Sequence, residues 1–134
     1  MADKGTLDWK SELLFVGAVD GRELKLDGNR KEACSPMEAL MLCLAGCMSI
    51  DLVHILGKMR SAPKSLRVQV EGERAETAQP KRFARMKLRF EIGGEGIKPA
   101  DVERAVELSR EKYCSVFHSL RPDIDLDTSY IIHP

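Results

Sequence analysis

The run from Ala39 to Ile50 constrains this chain more than any other stretch, because only Ser49 interrupts it with a polar side chain. At helical spacing such residues surround the axis, and a helix apolar on all sides has to be enclosed on all sides. A chain of 134 residues is expected to form one domain, residues 1–134, around a single core. That core encloses a central helix with difficulty, so a second copy of the chain is expected to cover part of it. The helix start is legible in "SPME": Ser35 suits the N-cap, Pro36 the first helical position, and Glu38 completes a capping box. Polar positions return at Asp51, His54, Lys58 and Arg60, and Pro63 lies just beyond, which places the helix end by Arg60. The apolar run itself is too short to span a bilayer.

Elsewhere the period changes. "TLDWKSELLFVGAV" alternates through Leu7, Trp9, Leu13, Phe15 and Val19 and reads as a half-buried strand. Asp20-Gly21 supplies a hairpin turn, "RELKL" returns as a second strand, and "DGN" at 27–29 is the next turn. "SLRVQVEGE" and "ARMKLRFEI" read as two further strands joined by a polar loop containing Pro80. A second helix is expected from about Pro99, with Asp101 and Glu103 in its first turn and Val102, Ala105, Val106, Ser109 and Tyr113 along one face. It reaches "EKYCSVFHSLRP", where Pro122 ends any continuation, and "DIDLDTSYII" makes the last strand. Strand sets separated by long helices give an α+β fold rather than a βαβ array.

Lys plus Arg equals Asp plus Glu at 21 each, so charge argues for neither a nucleic-acid nor an acidic-membrane partner. The bases that crowd residues 60–89 alternate with Met86, Leu88, Phe90 and Ile92, which is a strand with a charged outer face. No aromatic platform accompanies them, so single-stranded nucleic acid is a poor fit. "MADKGTLDWK" has no apolar segment of signal type, and a soluble, cytoplasmic protein is expected. Four cysteines in such a chain point to reactive or core thiols rather than a disulfide framework.

Two of those cysteines, Cys43 and Cys47, lie four apart in the apolar run. A disulfide between them is disfavoured in a helix, where their Cβ vectors run side by side. His54 follows on the same face, but zinc needs about four ligands and one straight helix rarely converges three. The residues leave two readings open, core packing of small apolar side chains and a reactive thiol. Reactivity at Cys47 is favoured if Gly46 breaks the helix, because Cys47 would then stand at the start of a fresh segment whose dipole favours thiolate. A thiol on another helix, Cys114, could exchange a disulfide with it. Cys34 lies just outside the N-cap and reads as exposed; His118, near Arg121, reads as structural.

"SPMEALMLCLAGCMSIDLVHILGKMR" together with "AVELSREKYCSVFHSLRP" resembles the OsmC/Ohr family (osmotically induced protein C and organic hydroperoxide resistance protein), closest to its short YhfA-like branch. The resemblance covers nearly the whole chain. It implies an intertwined homodimer with antiparallel sheets wrapped around two long helices, and thiol-dependent reduction of organic hydroperoxides and, less well, hydrogen peroxide. By position Cys47 matches the peroxide-attacking cysteine and Cys114 the resolving one. Cys47 would become a sulfenic acid, Cys114 would condense with it, and an external dithiol would reduce the disulfide. No metal or other cofactor is implied.

Family peroxidases hold the thiolate with an Arg–Glu pair, the Glu shortly after the Pro that opens the central helix. Here Met37 follows Pro36 directly and Glu38 stands one place later. Nine positions at about 100° each turn Glu38 to the face opposite Cys47 on a straight helix. Arg22, after the Asp20-Gly21 turn, is the first candidate for the arginine and Arg30 the second. Two other functions share the same residues: a redox sensor switched by the Cys47–Cys114 disulfide, and a non-catalytic binder of a small apolar ligand.

Overall fold

The computed structural model describes residues 1–77 and 79–134. Two compact units make up the chain, residues 1–40 and residues 41–134. In the first, β1 (Thr6–Ser11), β2 (Leu14–Val19) and β3 (Arg22–Asp27) form an antiparallel meander. The stretch expected as one strand is therefore two, hinged at Glu12, whose φ of 48° lies in the left-handed region. No Gly marks that hinge. Instead the Trp9 indole N–H donates to the Glu12 carbonyl at 2.9 Å, which closes the turn from outside. The second hairpin forms as expected, with Asp20 at φ 49° and Gly21 at φ 75° between the paired Val19 and Arg22; two successive positive φ values are what a two-residue hairpin loop needs. Burial differs from the expectation, because every residue of β1 is exposed.

Beyond β3, Asp27 organises the loop. Its carboxylate accepts backbone N–H bonds from Asn29 at 2.9 Å, Lys31 at 3.1 Å and Glu32 at 3.0 Å. The Glu32 and Asn29 bonds hold this carboxyl below the usual carboxylate range, against the opposing effect of burial. A lowered folded-state pKa means that stability is present above the unfolded value and lost as pH falls through the folded one. Asp27→Asn should therefore cost stability at neutral pH and flatten the acid limb of a pH–stability curve measured by urea titration.

The central helix α1 spans Pro36–Lys58 without interruption. Its start is the expected capping box, with the Ser35 N–H donating to Glu38 Oε1 at 2.8 Å and the Glu38 N–H donating to Ser35 Oγ at 3.2 Å. Its end is a left-handed closure at Arg60 (φ 60°), where the Ser61 N–H reaches back to the Leu56 carbonyl at 2.9 Å. Gly46 does not break the helix, so the fresh dipole expected at Cys47 does not exist. Glycine permits a break but does not compel one, and helical hydrogen bonding continues through it. As formed, α1 is long and apolar enough to cross a membrane by length and composition, contrary to the reading of its apolar run. One side is nevertheless packed into protein, with Leu44, Met48, Leu52 and Leu56 fully buried.

In the second unit β4 (Ser65–Arg74) and β5 (Phe83–Gly93) pair antiparallel, and β6 (Asp125–His133) joins the other side of β5. That last pairing is parallel, where antiparallel sheets were expected. The chain leaves β5, passes through the helical segment and returns in the same direction, as a crossover connection demands. β5 is the buried centre: Met86, Leu88, Phe90 and Ile92 point to the core. Two of its bases face acids across the sheet, Lys87 opposite Glu71 and Asp127, and Arg85 bonded to Asp127 at 3.0 Å, whereas Arg89 lies between Gln69 and Ser129. The basic stripe is thus a charged, partly paired outer face.

Helix α2 (Pro99–Leu108) opens on Asp101 as expected but is shorter than its sequence pattern implies. From Ser109 to Tyr113 the turns widen, and the Cys114 N–H donates to the Ser109 carbonyl at 2.8 Å, five residues back. The extra residue per turn rotates Tyr113 outward, to 56% exposure, and carries Cys114 onto the fully buried side. A short helix α3 (Ser115–His118) follows. Polar contacts pin α2 at both ends to α1 and its C-terminal turn: Ser61 Oγ donates to Asp101 Oδ2, and Ser109 Oγ donates to Asp51 Oδ2 at 2.8 Å.

Candidate functional site

All four cysteines are free, and they separate by environment. Cys34 and Cys43 are exposed, Cys47 is half-buried and Cys114 is buried. In the single chain Cys43 lies on the exposed side of α1, away from the core that Leu44 and Met48 fill. The Cys47 thiol is near enough to Cys114 to act on its protonation. Their helical carriers explain this. Cys47 projects from the middle of α1, flanked by the buried Leu44 and Met48, and the wide turn after α2 delivers Cys114 against it. Neighbours in one helix could not meet in this way; two thiols on different segments can.

Burial pushes the Cys114 thiol up to about 12. The Phe117 N–H, which donates to its sulfur at 3.4 Å, opposes that shift. The Cys47 thiol and the Asp51 carboxylate reinforce it, since both favour the protonated form. Cys114 therefore rests as a neutral thiol beside Cys47.

Asp51 and Ser109 are site residues that sequence reasoning passed over. Asp51 was read only as the return of polarity along α1, yet it follows Cys47 by four residues and so shares its face. That spacing was the available signal. Ser109 is fully buried and hydrogen-bonded to Asp51; it was read as one position on an apolar face. Asp51 also edges a cleft of about 510 Å³, lined further by His54, Ile55, Lys58, Leu108 and Tyr113.

The other two candidates, Arg22 and Glu38, are each engaged within the first unit. Arg22 bonds its own hairpin, Nε to the Val19 carbonyl at 3.1 Å and Nη2 to Asp20 at 3.3 Å, with its side chain 76% exposed. Arg30, the second candidate, occupies the turn after Asp27 at φ 55°. Glu38 serves the capping box. His118 Nε2 donates to the Arg110 carbonyl, 2.9 Å away, within the widened turn. No group of three or more His, Cys, Asp or Glu among the described residues could hold a metal ion.

Comparison with known proteins agrees with this architecture along the whole chain. The chain is 40% identical over 124 residues to Protein YhfA of Escherichia coli strain K12, covering 91% of this chain and 92% of that one. A hypothetical protein from Aquifex aeolicus superposes with a TM-score of 0.89 at 28% identity, over 99% of this chain and 97% of the other. The organic hydroperoxide resistance protein OhrB of Bacillus subtilis shares the fold, with a TM-score of 0.63 at 14% identity over 98% of each chain. Residues 28–129, which carry both cysteine segments, match the family model for OsmC-like proteins. The chain therefore belongs to the OsmC-like family.

Proposed function

We propose that this protein is a cysteine-based peroxidase that reduces organic hydroperoxides, with Cys47 as the attacking sulfur and Cys114 as the resolving one. The observation that carries the reading is a half-buried thiol on α1, Cys47, acting directly on the buried thiol of Cys114 after α2. Only one member can open the reaction. Cys114, pushed up to about 12, stays a thiol at neutral pH, and a thiol is a poor nucleophile. Cys47 attacks the distal oxygen of ROOH; the O–O bond breaks, ROH leaves, and the sulfur becomes sulfenic acid. The Cys114 sulfur then bonds to Cys47, the S–O bond breaks, and the Cys114 proton leaves with the hydroxyl as water. An external dithiol restores both thiols by exchange.

The protein works in this reading as a homodimer in the cytoplasm, each chain acting as one OsmC-like domain. Arg22 and Glu38 are proposed as supporting groups only through a second copy, since each is engaged locally in the single chain. That local engagement favours the redox-sensor alternative, in which the disulfide forms without rapid turnover.

One equivalent of cumene hydroperoxide should convert the reduced protein to an intramolecular disulfide, mapped by peptide mass spectrometry to Cys47 and Cys114. Continuous peroxide consumption with a dithiol reductant then separates peroxidase from sensor. A mapped product lacking Cys47 would remove the assignment.

A further inference from the structure

We propose that Asp51 is a positioning residue for the resolving thiol: through Ser109 it holds the Cys114 turn against α1, and it sets a negative charge beside the resolving sulfur that reserves peroxide attack for Cys47. The inference rests on the peroxidase reading above and assigns how its two sulfurs are told apart.

The geometry is a short chain of contacts. Asp51 lies one helical turn after Cys47. Its Oδ2 accepts from the buried Ser109 hydroxyl at 2.8 Å, and the Ser109 carbonyl accepts from the Cys114 N–H at 2.8 Å. A single residue thus ties the carboxylate on α1 to the backbone of the resolving cysteine. Ser109 is also where the regular turns of α2 give way to the wide ones. Losing the anchor at that point would free the segment that brings Cys114 inward.

Charge does the second part. Cys47 and Asp51 on α1, and the Phe117 N–H on its own segment, are the groups that act on Cys114. An anion beside a buried thiol disfavours a second anion there. Two thiols this close would otherwise compete for the same peroxide. With Asp51 present, Cys114 stays protonated until Cys47 carries the hydroxyl, and its proton then leaves with that hydroxyl as water.

The two parts separate by substitution. Asp51→Asn keeps an oxygen for Ser109 and removes the charge; Ser109→Ala removes the anchor and keeps the charge. In a Cys47→Ser background, iodoacetamide labelling of Cys114 is followed against pH by peptide mass spectrometry, with the exposed Cys34 as internal standard. Adding Asp51→Asn should speed Cys114 labelling at fixed pH by roughly three- to tenfold, a shift of up to about one pH unit in the profile. In the otherwise unmodified chain, dimedone trapping after one equivalent of cumene hydroperoxide should show the Cys47 sulfenic acid lasting roughly tenfold longer in Ser109→Ala. Asp51→Ala should lengthen it likewise, and Asp51→Asn should restore it. An unchanged labelling profile on adding Asp51→Asn overturns the charge role, and unchanged sulfenic lifetimes in Ser109→Ala and Asp51→Ala overturn the anchor. A parent protein inert to peroxide would sink the peroxidase reading alone, because the labelling profile still decides the role of Asp51.

Discussion

Replacing Cys47 with Ser should slow consumption of an organic hydroperoxide on the order of 10³-fold or more, the scale on which removing a nucleophile acts. The three remaining cysteines cannot substitute for it. Burial holds the Cys114 thiol far above its ordinary value, so it stays protonated at pH 7. The substitution also removes the part of that shift contributed by Cys47, but burial, its largest cause, remains. Cys34 and Cys43 are exposed, and neither is the thiol that Cys114 meets. Cys114→Ser should behave differently: one peroxide consumed per chain, then a stall at sulfenic or sulfinic acid on Cys47. In the parent, disulfide formation should accelerate as pH rises through the neutral range, because a resolving thiol held high must lose its proton to bond. Stopped-flow peroxide assays with intact-mass readout measure all three. A Cys47→Ser variant as fast as its parent would refute the mechanism.

What was legible in the sequence was whatever local chemistry alone decides. The capping box at Ser35 and Glu38 forms because two orphan N–H groups find partners three residues apart, wherever the rest of the chain goes. The Asp20-Gly21 hairpin forms because Gly accepts its φ without cost. The alternation in β5 gives its buried face directly. By contrast, the turn at Glu12 hid behind continuous alternation, since a residue other than Gly or Asn adopts the left-handed conformation there. Parallel pairing of β6 depends on which edge of β5 is vacant after β4 has paired, which no local pattern encodes. Cys47 and Cys114 were legible as a candidate pair because thiols on separate helices can exchange, but their attacking and resolving roles came only from the family resemblance; spacing alone left Cys47 between core filler and reactive thiol. The wide turn that makes them meet is invisible in "LSREKYC", because its residues suit an ordinary helix equally well. Asp51 and Ser109 were missed for the same reason: a carboxylate at the polar end of a helix and a serine on an apolar face become a pair only once α2 lies against α1.

Ile50→Arg should convert a dimer into monomers. Along the outer side of α1, Leu42 is 50% exposed, Ile50 71% and Val53 51%, next to the exposed Cys43. Positions 42, 46, 50 and 53 fall on one stripe of the helix. At Gly46 an added Cβ would meet nothing within 4 Å. A small residue in the middle of an apolar stripe is where another backbone can approach closely. Burying large aliphatic side chains of this kind is worth about 1.5–3 kcal/mol each. In a twofold interface each of them counts twice, because the same patch is used by both copies. The exposed stripe is thus large enough to drive association but wasteful in a chain that stays single. An arginine at position 50 would place two like charges near the axis, desolvated and without a partner. The expected cost of about 3 kcal/mol or more raises the dissociation constant at least a hundredfold. Sedimentation at micromolar concentration should show the parent as a dimer and the variant as a monomer, with helical circular dichroism retained. A parent that sediments as a monomer at that concentration would mean that the stripe is not covered by a second copy, and Arg22 and Glu38 would then lose their only proposed route to the thiols.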